Sequence, residues 1–125
     1  MERTRILLVD DEIDIIDFLS YNFRKKGFDT FHAYDGITGL QKAILYQPHL
    51  IISDIYMPGM NGIRMCLKLK ENDAVKHIPI IFLSASTDEL LSLSTLGAGA
   101  ERYLSKPVRL PLLYEIVGQT LEKYS

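Results

Sequence analysis

Short strand-like runs alternate with segments of helical periodicity along the whole 125-residue chain. The runs are rich in Ile, Leu, Val and Phe, and the segments between them repeat apolar residues every three or four positions. The predicted strands are residues 5–9, 28–34, 50–53, 78–83 and 102–105. The predicted helices are residues 13–26, 36–47, 62–71, 88–96 and 110–124. A helix after every strand restricts the choice of fold more than any other feature of the chain.

This alternation predicts a parallel sheet, because parallel neighbours need crossover connections and these connections place helices over the faces of the sheet. The strands around Leu7, Ile51 and Ile80 are apolar at successive positions, as expected of strands that are buried on both faces. We predict a single α/β domain over residues 1–125: a flavodoxin-like, doubly wound, five-stranded parallel sheet in the order 2-1-3-4-5, with five helices on both faces. Ligands of such sheets bind beyond the carboxyl ends of the strands.

Local signals set the expected ends of the helices. Gly27 and Pro48 end the first and second helices, and Asn61 and Thr87 are candidate N-caps of the third and fourth. The inward face of the third helix is predicted to consist of Ile63, Met65, Cys66, Leu67 and Leu69. Its solvent face is predicted to consist of Arg64, Lys68, Lys70 and Glu71.

Composition excludes several classes of protein. Hydrophobic residues make up 47% of the chain and the formal net charge is -2, so no basic surface is expected for nucleic acid or for an anionic membrane. No apolar run approaches the ~20 residues that cross a bilayer. Cys66 is the only cysteine, and the charged N-terminal segment does not resemble a signal peptide. These features predict a soluble, cytoplasmic protein without direct contacts to nucleic acid or membrane.

Acidic residues follow two strands that the predicted order makes neighbours. Asp10 and Asp11 come directly after the first strand, and Asp54 comes directly after the third. Carboxylates brought together at one sheet edge repel each other, and a hard cation such as Mg²⁺, which prefers oxygen ligands, relieves that repulsion. The sequence therefore predicts a Mg²⁺ site at this edge.

Two further side chains are predicted to complete the same edge. Ser84 follows the fourth strand and supplies a hydroxyl group, while Lys106 follows the fifth strand and supplies a positive charge. A phosphoryl group in transfer carries charge on three equatorial oxygens, and catalysis consists mainly of positioning it and neutralising that charge. The set fits phosphoryl transfer onto Asp54, with Mg²⁺, Lys106 and Ser84 as partners of the phosphoryl oxygens.

Four segments, "LLVDDE", "DIYMPGMNG", "IFLSA" and "ERYLSKP", resemble the motifs of receiver domains of two-component response regulators. They occur in the order of that family and extend over nearly the whole chain. The resemblance implies that Asp54 accepts a phosphoryl group from a histidine of a sensor kinase or of a histidine phosphotransfer protein. It implies a Mg²⁺ site formed by Asp10, Asp11, Asp54 and the backbone carbonyl of Tyr56.

The resemblance also implies roles for residues of the last two strands. Ser84 is expected to be the switch hydroxyl, Tyr103 the switch aromatic, and Lys106 a phosphate contact joined to Pro107 by a cis peptide bond. Output is expected through the face formed by the fourth helix, fifth strand and fifth helix, towards an effector domain, a partner protein or a second copy in a phosphorylation-dependent homodimer. Candidate residues of that face on the last helix are Leu110, Leu112, Tyr114 and Val117.

Each assignment has a structural alternative. The run Asp10–Glu12 could cap the first helix, and Asp54 could be a turn residue. The Ser84 hydroxyl could bond only to loop backbone, Lys106 could be an ordinary surface charge, and Tyr103 could be a core residue.

Two other functions use similar residues. A haloacid-dehalogenase-like phosphatase needs a second carboxylate two residues after its nucleophile, where this chain has Tyr56. An interaction module of the same fold would work without phosphorylation.

The bulky side chain of Tyr56 lies two residues after Asp54 in the sequence. We predict that it shields an acyl phosphate on Asp54 from water.

Overall fold

Five parallel strands form one sheet in the computed structural model, which describes residues 2–85 and 88–124 and only the backbone of Glu89. The strands are β1 (Arg5–Val9), β2 (Asp29–Ala33), β3 (Leu50–Ser53), β4 (Ile80–Ser84) and β5 (Arg102–Ser105). Their order is β2-β1-β3-β4-β5 and every neighbouring pair is parallel. The predicted fold and strand order are confirmed.

Five helices follow the strands in alternation. They are α1 (Ile13–Lys25), α2 (Gly36–Tyr46), α3 (Gly62–Glu71), α4 (Glu89–Gly97) and α5 (Leu110–Lys123). Two cores fill the space between the helices and the sheet. On one face, α1 and α5 pack through residues such as Phe23 and Leu113, and on the other, α2 and α3 pack through residues such as Ala43 and Met65. The sheet is therefore covered on both sides, which explains its apolar strands.

Side-chain caps fix the starts of three helices. Asp35 accepts a hydrogen bond from the Thr38 amide at the start of α2, and Asn61 accepts one from the Arg64 amide at the start of α3, as predicted for Asn61. The N-cap of α4 is Asp88, whose side chain accepts from the Leu90 amide. The predicted cap Thr87 lies outside the described residues.

Three local expectations are wrong. Strand β4 begins at Ile80 rather than at residue 78, and Pro79, which precedes it, has no amide to donate to a neighbouring strand. Leu67 does not face the core, since 46% of it is exposed. Lys70 is not a solvent-facing side chain, because its ammonium donates to the carbonyls of Lys76 and Ile78 at 3.1 and 3.0 Å.

Within the described part of the chain, none of the helices has the length and apolar character needed to cross a membrane.

Candidate functional site

Two buried carboxylates lie side by side where β1 and β3 end. Val9 pairs with Ser53 in the register of these strands, so the residues that follow, Asp10 and Asp54, leave the sheet at the same level. The Asp54 amide donates to the Val9 carbonyl at 2.8 Å, and the Asp10 amide donates to the Ala33 carbonyl at 3.0 Å. Only 4% of Asp10 and 8% of Asp54 are exposed. The backbone of the sheet thus holds both acids at its carboxyl edge.

The Lys106 ammonium bridges these carboxylates. It lies 2.8 Å from Oδ2 of Asp10 and 3.3 Å from Oδ2 of Asp54. The Lys106 amide donates to the Ser84 carbonyl at 2.7 Å, which ties the residue after β5 to the end of β4. The site therefore brings together residues that follow β1, β3 and β5. The carboxylates of Asp10, Asp11 and Asp54 were predicted to converge: Asp10 and Asp54 meet beside Lys106, whereas Asp11 is exposed.

Burial and charge act against each other on the ionisation of the site. Burial raises the pKa of Asp54, and the nearby Asp10 adds to this, while the hydrogen bond from the Ile55 amide and the charge of Lys106 oppose it. Burial also acts to lower the pKa of Lys106, but the hydrogen bond and charges of Asp10 and Asp54 outweigh it and the pKa is raised. The ammonium therefore stays charged between two carboxylates that repel each other.

The turn after β3 fixes the orientation of the Asp54 side chain. The Ile55 amide donates to Oδ1 of Asp54 at 2.7 Å, which leaves Oδ2 for the Lys106 ammonium. The Gly62 amide donates to the Ile55 carbonyl at 2.7 Å and closes the turn. A Cβ at Gly62 would lie 2.3 Å from the Asp54 carbonyl oxygen, so the close approach of α3 to this turn requires glycine.

A third carboxylate joins Asp10 and Asp54. One oxygen each of Asp10, Glu12 and Asp54 lie within 4.8 Å of one another. Three carboxylate oxygens at this spacing are a donor set that fits Mg²⁺, which takes few protein ligands and retains waters. Asp11 is exposed and is not one of the three that meet in the described part of the chain. Reasoning from the sequence missed Glu12 as a member of this group, and its only signal was its place at the end of the acidic run.

The remaining predicted site residues differ in how deeply they are buried. Ser84 is fully buried at the end of β4, and Tyr103 is half-buried in β5 against the core on the α2 and α3 side of the sheet. Tyr56 is 63% exposed, two residues after Asp54. The peptide bond between Lys106 and Pro107 is cis, in agreement with the resemblance.

Three curated relatives illustrate the sequence similarity of the chain. It is 37% identical to the alkaline phosphatase synthesis transcriptional regulatory protein PhoP of Bacillus subtilis over 103 residues. This aligned region covers 82% of this chain and 42% of PhoP. It is 35% identical to the DNA-binding dual master transcriptional regulator RpaA of Synechocystis, over 82% of this chain and 43% of RpaA. It is 37% identical over 107 residues to the DNA-binding response regulator MtrA of Mycobacterium tuberculosis, over 86% of this chain and 46% of MtrA. The chain thus spans less than half the length of these relatives.

Solved structures share the whole fold. The receiver domain of a signal transduction histidine kinase from Syntrophus aciditrophicus superimposes with a TM-score of 0.88 at 30% identity, covering 96% of this chain and 91% of that one. A CheY-like response regulator receiver domain protein from Methanospirillum hungatei superimposes with a TM-score of 0.92 at 27% identity, covering 98% and 97%. The family model "Response regulator receiver domain" matches residues 6–118. The chain belongs to the family of response regulator receiver domains.

Proposed function

We propose that Asp54 accepts a phosphoryl group from a phosphohistidine of a sensor kinase or phosphotransfer protein in a Mg²⁺-dependent reaction. The observation that carries this proposal is the Lys106 ammonium, which contacts both Asp10 and Asp54 where three parallel strands end. A cation set between two buried carboxylates at the ligand-binding edge of a doubly wound sheet suits charge neutralisation during phosphoryl transfer.

In the proposed reaction, Oδ2 of Asp54 attacks the phosphorus atom of the donor. The phosphorus–nitrogen bond breaks, an acyl phosphate forms on Asp54, and the imidazole leaves and takes up a proton. The hydrogen bond from the Ile55 amide holds Oδ1 of Asp54, so that Oδ2 faces the donor. The bound Mg²⁺, held by Asp10, Asp54, Asp11 and the Tyr56 carbonyl, would neutralise charge on the phosphoryl oxygens.

Lys106 and Ser84 are the proposed phosphate contacts of the product. The Lys106 ammonium is already beside Oδ2 of Asp54 and would shift to a phosphoryl oxygen. Ser84 is proposed as the hydroxyl donor to a second oxygen, with Tyr103 as the aromatic residue that responds to its movement. Both residues lie on neighbouring strands, since Phe82 pairs with Tyr103 and Ser84 with Ser105 in the register of β4 and β5.

Output is proposed through the face formed by α4, β5 and α5. Leu90, Leu93 and Leu96 of α4 are exposed, and so is Leu112 of α5. Val117 is buried and Tyr114 packs on Phe23, so these two predicted members of the face belong instead to the core beside α1. The proposed partners of this face are an effector domain, a partner protein or a second copy of the chain. The proposed location of the protein is the cytoplasm.

The test is incubation with acetyl phosphate and Mg²⁺ followed by mass measurement of the intact protein. We expect one phosphoryl group on the native protein and none on Asp54→Asn. Asp14→Asn, which removes an exposed carboxylate from the first turn of α1, serves as the control and should be phosphorylated.

Two results would contradict the proposal and favour its rivals. Absence of phosphorylation in the native protein would favour an interaction module that acts without it. Continuous turnover of a phosphate ester far beyond one equivalent would favour a phosphatase.

A further inference from the structure

The carboxylate of Glu12 lies at the mouth of the site. Its Oε1 is 3.7 Å from the Lys106 ammonium, and one of its oxygens is within 4.8 Å of oxygens of Asp10 and Asp54. Unlike these two buried acids, Glu12 is largely exposed, with 61% of its side chain accessible. A group in this position faces an incoming cation from the solvent side.

Helix capping does not account for the position of the Glu12 side chain. Glu12 is the N-cap residue of α1, yet its side chain makes no capping hydrogen bond. Its backbone is held by the site itself, because the Glu12 amide donates to Oδ1 of Asp10 at 2.9 Å. The residue is thus anchored to one metal-site carboxylate through its backbone and directed to the shared ammonium through its side chain.

We propose that Glu12 is a further carboxylate of the divalent cation site, beside Asp10, Asp11 and Asp54, and that it acts directly or through a metal-bound water to raise the affinity of the site for the cation. This inference rests on the proposed function, because it concerns the same Mg²⁺ site. The geometry supports it, because an oxygen of Glu12 lies within 4.8 Å of oxygens of both Asp10 and Asp54. Its carboxylate adds one negative charge close to the place where the cation would bind, and this strengthens the attraction for the cation.

The effect of Glu12 depends on ionic strength because its carboxylate is exposed. Salt screens interactions between exposed charges over about 10 Å at 0.1 M. Its contribution should therefore be largest at low salt and shrink as salt is added, whereas the buried pair Asp10 and Asp54 is screened much less.

The experiment is a calorimetric titration of the unphosphorylated protein with magnesium chloride, without any phosphoryl donor. Glu12→Gln keeps the size of the side chain and removes its charge. We expect its Kd for Mg²⁺ to rise about three- to tenfold at low salt, and this increase to fall below about twofold at high salt. Asp14→Asn is the matched control, since it removes one exposed charge from the same helix end, and its Kd should change by less than about twofold.

The outcomes separate this inference from the proposed function. Equal Kd values for Glu12→Gln and Asp14→Asn would overturn the role of Glu12 and leave the Mg²⁺ site in place. A native protein that binds no Mg²⁺ would overturn the proposed function itself. Urea unfolding of Glu12→Gln with a native-like free energy would show that a loss of affinity does not come from unfolding.

Discussion

At the scale of single residues, the position at the sheet edge explains why a fully buried strand is followed directly by a charged side chain. Asp54 gains its position from the backbone of β3 and of the turn that follows, which hold one carboxylate oxygen and leave the other for Lys106. Its charge is costly, because burial raises its pKa and Asp10 repels it. A nearby cation stabilises the ionised form of such a carboxylate, and this is the form that the proposed phosphoryl transfer requires.

The exposed ring of Tyr56 leads to a prediction about the lifetime of the acyl phosphate. We expect Tyr56→Ala and Tyr56→Asn to speed loss of phosphate from Asp54 by at least about threefold, because a smaller side chain admits water to the linkage. The measurement is the decay of the phosphorylated protein after the donor is removed. Tyr21→Ala, which deletes another exposed tyrosine from α1, should leave the decay unchanged. Equal decay in the native protein and the Tyr56 variants would rule out shielding.

At the scale of elements, the junction of β3 and α3 limits which residues can follow Asp54. Helix α3 begins at Gly62, whose missing side chain lets the helix approach the Asp54 carbonyl and the ring of Phe82. The same junction carries the Asn61 cap and the hydrogen bond from Gly62 to Ile55. The turn is thus fixed from both of its ends, and its geometry positions Asp54.

A glycine-to-alanine pair tests this close approach. Gly62→Ala should lower the free energy of unfolding by about 2–3 kcal/mol, because its Cβ would lie 2.3 Å from a backbone oxygen and 2.7 Å from Phe82. Gly118→Ala is the control, since a Cβ there meets no atom within 4 Å and the residue lies inside α5. That variant should be more stable by about 0.5–1 kcal/mol, because alanine favours helix. Urea unfolding measures both, and equal effects would show that Gly62 is not sterically required.

At the scale of the whole molecule, the C-terminal end of α5 is tied to the segment that enters β5. The Glu101 carboxylate accepts hydrogen bonds from the Lys123 ammonium at 2.8 Å and from the Tyr124 hydroxyl at 2.7 Å. The Glu101 amide donates to the Ile80 carbonyl at 2.8 Å and so connects the same residue to β4. Glu101 therefore links the last helix to two strands of the sheet.

This link predicts a pH dependence of stability. The hydrogen bonds from Lys123 and Tyr124 lower the pKa of Glu101 from its ordinary value of 4.5. A lowered pKa means that the ionised carboxylate stabilises the fold above pH 4.5 and that this stabilisation is lost as the pH falls through the lower folded-state pKa. Glu101→Gln should thus have a lower free energy of unfolding than the native protein at pH 7, and the difference should vanish in acid.

Urea unfolding across this pH range checks the link. Glu115→Gln, which removes an exposed carboxylate from α5, is the control and should show little difference from the native protein at pH 7. A Glu101→Gln deficit of the same size at pH 7 and at pH 3 would contradict the electrostatic origin of the effect.

The sequence predicted the parts of the molecule that depend on local pattern. Alternating strand and helix segments fixed the parallel sheet, and the residues directly after its strands identified Asp10, Asp54 and Lys106 as neighbours. These predictions succeeded because backbone hydrogen bonding and burial on both faces leave few arrangements for such a pattern. The element bounds shifted at ends such as the start of β4, where the apolar pattern continues through Pro79 but the strand begins after it.

Only the tertiary structure decided which side chain of the acidic run turns into the site and which face of a helix is covered. Asp10, Asp11 and Glu12 are consecutive acidic residues that the sequence does not distinguish. The direction of each side chain depends on the angle at which the chain leaves β1 and enters α1. The exposure of Leu67 and the carbonyl contacts of Lys70 likewise depend on how α3 packs against its neighbours. Periodicity places a residue on a helix, but the packing of whole elements determines whether that face meets protein or water.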